Sequence, residues 1–108
     1  MNLFQDIPSH LPDELFTELL NQPGIRIERI VSAGHKSDPD FWYDQDEQEW
    51  VCLIQGEAEL EFQDRSKHKL LPGDTLLIPA HQKHRVSFTS TEPQCIWLAI
   101  FFGRTQNA

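Results

Sequence analysis

The stretch that decides the fold runs from residue 49 to residue 84, and its two ends carry most of the information. Residues 49–62 read EWVCLIQGEAELEF, and residues 73–84 read GDTLLIPAHQKH. In the first segment acids alternate with small or apolar side chains after Gly56, which is typical of two strands joined as a tight hairpin. The second segment contains a short apolar strand that ends at Pro79. The stretch therefore predicts antiparallel β-structure.

The flanking sequence extends the same pattern. Residues 25–31 are rich in β-branched side chains, and residues 84–89 alternate between polar and apolar. Residues 95–102 are apolar at almost every position, as expected of a central strand that is covered on both faces. Many short strands without a helix between them favour an antiparallel sandwich or barrel. We therefore predict a small all-β barrel from residues 25–102.

The N-terminal segment has a different pattern. Residues 12–20 predict a short amphipathic helix, because Pro12 suits a first helical position and Pro23 follows the last apolar pair. Four apolar side chains share one face of that helix: Leu15, Phe16, Leu19 and Leu20. The sequence thus predicts an arm with one short helix over residues 1–24, a barrel over 25–102 and a polar tail over 103–108.

Composition excludes several classes of partner and site. The 108 residues suit one small domain, and the net charge of −8 with scattered Lys and Arg makes nucleic acid and membrane surfaces poor partners. The chain has no apolar run of about 20 residues and no signal-peptide pattern at its start, so we expect the cytoplasm. Cys52 and Cys95 form no Cys-x-x-Cys motif and are expected to be reduced and structural.

The second half of the stretch resembles a known family motif. The pattern Gly73-x5-Pro79-x-His81-x2-His84 is similar to the second motif of the cupin family, Gly-x5-Pro-x-Gly-x2-His-x3-Asn. His81 stands where the family usually has Gly, and Phe88 stands where it has Asn. The resemblance implies a double-stranded β-helix, the jelly-roll barrel also called RmlC-like.

The first cupin motif, Gly-x5-His-x-His-x3–4-Glu-x6-Gly, is matched only at its end, by Glu49-x6-Gly56. The two motif histidines are missing. Their places fall either on Tyr43 and Gln45 or on Trp42 and Asp44, depending on the spacing. The family metal site implied by the resemblance, three His and one Glu, is therefore reduced to two matching positions.

Side-chain parity brings those two positions into one cavity. Every second side chain of a strand lies on the same face. Glu49 therefore lies on the face of Val51, and His84 lies on the face of Val86, so both are expected to point into the barrel. A buried carboxylate is costly unless it is paired or binds a cation, and Glu with His is a plausible half-site for Fe, Ni, Mn or Zn. The other reading is a hydrogen-bonded polar pair without metal.

Further side chains are candidates to complete a metal site or line a pocket. Asp44 is the strongest additional metal ligand by chemistry, because an ionised oxygen binds divalent ions well. The other candidate ligands are Gln45, Tyr43, His81 and His35. Tyr43, Gln45 and Phe88 are the predicted ligand-pocket residues. Trp50 has the opposite parity to Glu49, so we expect it on the outer face, where it favours a homodimer interface.

The sequence contains no nucleophile motif and no phosphate-binding glycine loop. We therefore predict a cytoplasmic protein that binds a small molecule inside the barrel, with a divalent metal as one option. The resemblance implies metal-dependent oxygenase or isomerase chemistry for that option. The alternatives are a metal-free sensor or accessory binding protein, and a purely structural dimer module.

Overall fold

Eight antiparallel strands make up the fold. The computed structural model describes residues 1–103. The strands are β1 (Leu15–Gln22), β2 (Ile25–Ser32), β3 (Gln48–Gln55), β4 (Ala58–Phe62), β5 (Lys67–Leu70), β6 (Thr75–Ile78), β7 (His84–Thr89) and β8 (Cys95–Phe102). One sheet has the strand order β1-β2-β8-β3-β6, and the other has the order β5-β4-β7. The predicted all-β class is confirmed, and the predicted tail lies outside the described residues except for Gly103.

The core lies between the two sheets. Ten buried side chains form one cluster: Val51, Leu53, Ala58, Leu60, Leu70, Ile78, Cys95, Trp97, Ala99 and Phe101. Alternate residues of β3 and of β8 belong to it, because successive side chains of a strand point to opposite faces. The predicted inward parity of Val51 and Leu53 is therefore confirmed. Trp50, on the opposite face, is only half-buried.

The N-terminal helix prediction is wrong, because this segment forms β1. β1 pairs with β2 along its whole length, with a register shift between Glu18 and Leu20. A nine-residue helix is marginal in water, whereas the edge of β2 offers a full row of backbone hydrogen bonds. Pro23 and Gly24, which we read as a helix stop, instead form the turn of a β-hairpin, with Gly24 at φ 84°.

The turn at Gly56 also differs from the prediction. β3 and β4 do not pair with each other, because β3 lies between β8 and β6 while β4 lies between β5 and β7. Gly56 has φ 90° and lies so close to Cys95 that an added Cβ would be 3.0 Å from its Cα. The glycine thus carries the chain from one sheet to the other. Alternation identified both strands correctly but did not identify their partners.

A bulge in β7 reverses the side chains at the end of that strand. Leu60 pairs with Val86 and Glu59 pairs with Phe88, so Ser87 is an extra residue in the ladder. After the bulge Thr89 faces the interior and is 4% exposed, whereas Phe88 is 47% exposed. The inward parity predicted for Phe88 is wrong for this reason.

The N-terminal arm lies over the outer face of the larger sheet. The guanidinium of Arg29 is buried and donates hydrogen bonds to the carbonyl oxygens of Gln5, at 2.6 Å, and Leu3, at 3.3 Å. The amide of Gln94 donates to the carbonyl of Pro8. These contacts hold the arm on the opposite side of the sheet from the barrel interior. Within residues 1–103 no helix is long and apolar enough to cross a membrane.

Candidate functional site

The two sheets enclose a cavity of about 110 Å³ that is open on one side. Its walls are mainly apolar and include Val51, Leu60, Ile78, Val86, Trp97 and Phe101. Its polar lining comprises Glu14, Glu28, Tyr43, Gln45, Glu49 and His84. An enclosed apolar cavity of about 150 Å³ holds benzene, so this cavity suits a small ligand or the end of a larger one.

His84 is the first residue of β7 and only 4% exposed. Its Nδ1 lies 2.8 Å from the carbonyl oxygen of Gln82. Because a carbonyl oxygen can only accept, Nδ1 carries the proton. In the neutral ring Nε2 is then an acceptor, and it is directed at Glu49. The backbone of Gln82 thus fixes which nitrogen of His84 is available to a ligand.

Glu49 lies on β3, directly across the cavity from His84. Its Oε1 is 3.7 Å from Nε2 of His84 and accepts a hydrogen bond of 2.9 Å from the amide of Gln45. A separation of 3.7 Å is too long for a direct hydrogen bond. With the tautomer fixed by Gln82, two acceptors face each other across this gap. The arrangement requires a proton on the ring, a donor or a cation between them.

The segment 43–45 replaces the missing histidines, and the structure decides its register. The backbones of Tyr43 and His84 are paired by two hydrogen bonds, of 2.7 and 3.2 Å, and the N–H of His81 donates to the carbonyl of Gln45 at 2.8 Å. This ladder points Tyr43 and Gln45 into the cavity. Asp44 points outward. Of the two alternatives left by the motif spacing, Tyr43 with Gln45 is therefore the one observed.

The remaining metal candidates lie outside the cavity. Asp44 is 2.9 Å from Nδ1 of His81, and both side chains are exposed, at 41% and 57%. His35 contacts the carbonyl of Pro12 and the backbone N–H of Ala33, in the loop after β2. Phe88, expected in the pocket, is not among the lining residues. Only Glu49 and His84 of the predicted metal set meet inside the barrel, with Gln45 and Tyr43 beside them.

Tyr43 covers the cavity beside His84. The two rings are stacked with centroids 5.5 Å apart, and Phe41 packs edge-on against Tyr43 at 4.7 Å. Partial burial of the phenol raises the pKa of Tyr43, and the negative charges of Glu14 and Glu49 raise it further. Tyr43 is therefore a neutral hydroxyl over the cavity at physiological pH.

Sequence reasoning missed two glutamates of the cavity. Glu14 falls within the helix predicted for residues 12–20, but it precedes β1 and accepts a 2.7 Å hydrogen bond from the hydroxyl of Ser32. Glu28 shares the inner face of β2 with Arg26, which forms an ion pair with it. The sequence signal for Glu28 was the alternation of polar Arg26 and Glu28 with apolar side chains in β2. It was not interpretable without knowing that β1 and β2 continue the barrel sheet.

These donors do not fit the four-ligand metal site implied by the family. Within the described residues no three His, Cys, Asp or Glu side chains come together in a way that could hold a metal ion. Bonds of about 2.1 Å could join Glu49 and His84 to one ion across 3.7 Å. The two remaining positions, however, hold an amide and a neutral phenol, which are weak ligands. The barrel retains half of such a site.

Known proteins agree with this architecture. The family model described as a cupin domain matches residues 28–101. A Ralstonia eutropha JMP134 protein, provisionally assigned as a mannose-6-phosphate isomerase, is 44% identical over 94% of this chain and 95% of its own, with a TM-score of 0.90. No curated protein matches the chain.

More distant structures share the fold alone. A cupin superfamily protein of Desulfitobacterium hafniense DCB-2 is 23% identical over 89% of this chain and 83% of its own, with a TM-score of 0.74. An RmlC-like cupin of Shewanella frigidimarina NCIMB 400 is 17% identical over 82% and 75%, with a TM-score of 0.70. The domain match and the 44% identical relative show that this chain belongs to the cupin family.

Proposed function

We propose that this cupin binds a small, partly apolar molecule inside its barrel without a bound metal, and that Glu49 and His84 form the polar end of the site. The observation that carries the proposal is the 3.7 Å gap between Oε1 of Glu49 and Nε2 of His84. When the ring of His84 is neutral both atoms accept hydrogen bonds, and both residues line a largely apolar cavity. A ligand that donates hydrogen bonds fills this gap and satisfies both atoms.

The walls of the cavity bind the rest of the ligand. Leu60, Ile78 and Trp97 offer apolar contact, so the affinity comes mainly from buried apolar area and the orientation from the polar end. Glu49 and His84 can also take up a proton from the bound molecule, because a carboxylate and a neutral imidazole are the usual general bases of proteins. Binding is thus the function proposed, and proton transfer is the chemistry that the same pair permits.

A sugar phosphate is a less suitable ligand. The Ralstonia relative carries a provisional assignment as a mannose-6-phosphate isomerase. Phosphate is usually bound by Arg, Lys or a helix N-terminus. The cavity lining within residues 1–103 includes three glutamates and neither Arg nor Lys, so it repels a phosphate. The metal-dependent oxygenase or isomerase option is equally unsupported, since only half of the metal site is present.

Elemental analysis combined with ligand binding tests the proposal. Tag-free protein is expected to contain no stoichiometric divalent metal, and small hydrogen-bond donors are expected to raise the melting temperature of the wild type but not of His84→Ala. His81→Ala is the matched control, because His81 lies outside the cavity. Near-stoichiometric Fe, Ni, Mn or Zn that is lost in both Glu49→Gln and His84→Ala would contradict the metal-free proposal.

We also propose that the protein is a cytoplasmic homodimer. An apolar row crosses the outer face of the five-stranded sheet in register: Leu20, Ile27, Ile100, Trp50 and Leu77. Leu77 is 48% exposed, and a second copy is the simplest cover for such a row. Cys52 and Cys95 are free thiols, which suits a reducing compartment. Light scattering of Trp50→Glu is expected to report monomer where the wild type reports dimer.

A further inference from the structure

Charge pairing around the cavity is incomplete. Glu28 is neutralised by Arg26, whose other terminal nitrogen lies 3.1 Å from Glu47. Glu14 accepts a hydrogen bond from a serine hydroxyl, and Glu49 accepts one from the Gln45 amide. Within residues 1–103 neither of these two carboxylates is paired with Arg or Lys, and Glu49 faces the imidazole of His84 at 3.7 Å. Both are partly buried, and removing a carboxylate from water without a cation is costly, so the cavity has a deficit of positive charge.

The acceptors without an Arg or Lys partner line the same cavity: Glu14, Glu49 and His84. Glu14, Tyr43 and Glu49 all line the cavity, and the negative charges of the two carboxylates add to the effect of burial in raising the pKa of Tyr43. His84 adds a third acceptor when its ring is neutral, because its Nδ1 donates to the carbonyl of Gln82 and its Nε2 makes no hydrogen bond in the described part of the chain; the residue is only 4% exposed and lines the cavity. This unpartnered nitrogen is an observation independent of the carboxylates, and it points to the same ligand chemistry.

From these contacts we infer that the ligand is an organic cation, a protonated amine on a small apolar body, whose ammonium group lies between Glu49 and His84. The inference rests on the proposed function, since it names the class of molecule that the barrel binds. An ammonium has three N–H donors and no acceptor. It can therefore satisfy both facing acceptors at once, whereas a hydroxyl has a single hydrogen and satisfies one.

The distances suit this assignment. Charge-assisted N–H···O bonds are about 2.8 Å long, and two such bonds from one nitrogen easily span the 3.7 Å between Oε1 of Glu49 and Nε2 of His84. The aromatic rings of Tyr43 and Trp97 line the same cavity, and aromatic faces attract cations. The volume of about 110 Å³ holds an apolar body of up to about six carbon atoms, and the open side leaves room for a longer ligand to extend outward. The ammonium would stand where the family resemblance implies a metal ion.

Three probes of nearly the same shape test the inference: isobutylamine, isobutanol and isobutyrate. Binding to the wild-type protein at neutral pH would be followed by chemical-shift changes of backbone amides in β3 and β7. We expect isobutylamine to bind about tenfold or more tightly than isobutanol, because a charged donor forms stronger hydrogen bonds than a neutral one. Isobutyrate is expected not to bind. Glu49→Gln and, separately, Glu14→Gln should reduce the preference for the amine, and Asp44→Asn should retain it.

The outcomes separate the two proposals. Two outcomes would overturn the amine inference and leave the proposed small-molecule function standing: isobutanol binding as tightly as isobutylamine, and isobutyrate binding tightest. In either case the barrel binds small molecules without preferring amines. If none of the three probes shifts the β3 and β7 signals, the proposed small-molecule function fails together with the inference. Amine preference that persists in both Glu variants would also overturn it, because the preference would then arise elsewhere.

Discussion

Two acid–histidine pairs lie close together in sequence and differ in almost every physical respect. Asp44 and His81 are 2.9 Å apart with side chains 41% and 57% exposed, whereas Glu49 and His84 are 3.7 Å apart with side chains 12% and 5% exposed. The shorter contact is the weaker candidate for function. Water and salt screen an exposed pair to well below about 1 kcal/mol. A buried pair that is not in direct contact needs a proton on the imidazole, or a donor or cation between the two groups.

The backbone explains why the pairs separate. Antiparallel hydrogen bonds join Tyr43 to His84 and Gln45 to His81, so Asp44, between the two inward residues, points to solvent. His81 has φ 62° at the position where the cupin motif usually has glycine. Its left-handed backbone turns the imidazole outward, where it meets Asp44. The comparison teaches that the shorter acid–histidine contact is the exposed one, and that burial, rather than residue type or proximity, distinguishes the pair that lines the cavity.

Removal of the buried histidine is expected to have the largest effect. His84→Ala deletes a ring packed between Tyr43 and Phe62 and leaves the carbonyl of Gln82 without its donor. We expect the free energy of unfolding to fall by about 2 kcal/mol or more, measured by urea denaturation. His81→Ala is the control and should fall within about 0.5 kcal/mol of wild type. If both variants lost the same free energy of unfolding, burial would not distinguish the Glu49–His84 pair from the Asp44–His81 pair.

Neutralisation of the buried acid should stabilise the protein. In Glu49→Gln the new amide can donate to Nε2 of His84, so an acceptor facing an acceptor becomes a hydrogen bond. We expect the free energy of unfolding in ligand-free protein to rise by about 1 kcal/mol. Asp44→Asn, on the surface, should change it by less than about 0.5 kcal/mol. Destabilisation by Glu49→Gln would mean that His84 is already protonated and paired with Glu49.

Titration of Tyr43 measures the charge inside the cavity directly. The chain has a single tyrosine, so absorbance near 295 nm reports only this phenol. Burial, Glu14 and Glu49 hold its pKa above the ordinary value, and Glu49→Gln should lower the pKa toward that value. Asp44→Asn, whose carboxylate points outward, should leave it where it is. An unchanged pKa in Glu49→Gln would place the charge of Glu49 away from the cavity.

The sign of the accompanying stability change follows from the raised pKa of Tyr43. Between the unfolded pKa of about 10 and the higher folded value, the folded chain retains a proton that the unfolded chain has lost. The contribution of Tyr43 is thus fully present below about pH 10 and is lost as the pH rises through the folded pKa. Unfolding free energies measured across this interval should fall more steeply in the wild type than in Glu49→Gln.

The smallest effect is expected at His81. His81→Gly removes the exposed pair with Asp44 but relieves the left-handed backbone at φ 62°. The two terms, each about 0.5–1 kcal/mol, oppose each other. The free energy of unfolding should therefore stay within about 0.5 kcal/mol of wild type, and amine binding should be unchanged. A loss of binding would show that His81 reaches the ligand after all.

The sequence by itself determined the all-β class, six of the eight strands and the inward direction of Glu49 and His84. All of these depend on the two-residue period of a strand. That period involves only residues close together in the chain, so a single sequence is enough to detect it. The same period predicted that Trp50 faces away from Glu49. The cupin motif spacing added the fold, although it left two registers open for segment 43–45.

Only the tertiary structure decided which side chains share the cavity. The backbone pairing with His84 selected Tyr43 and Gln45 and excluded Asp44, the bulge at Ser87 turned Phe88 outward, and pairing with β2 made a strand of the predicted helix. That last pairing also brought Glu14 to the cavity. Each of these outcomes depends on contacts between residues distant in the chain, and a local repeat carries no information about them. The sequence therefore identified Glu49 and His84, whereas strand pairing decided that Tyr43, Gln45 and Glu14 join them in the candidate site.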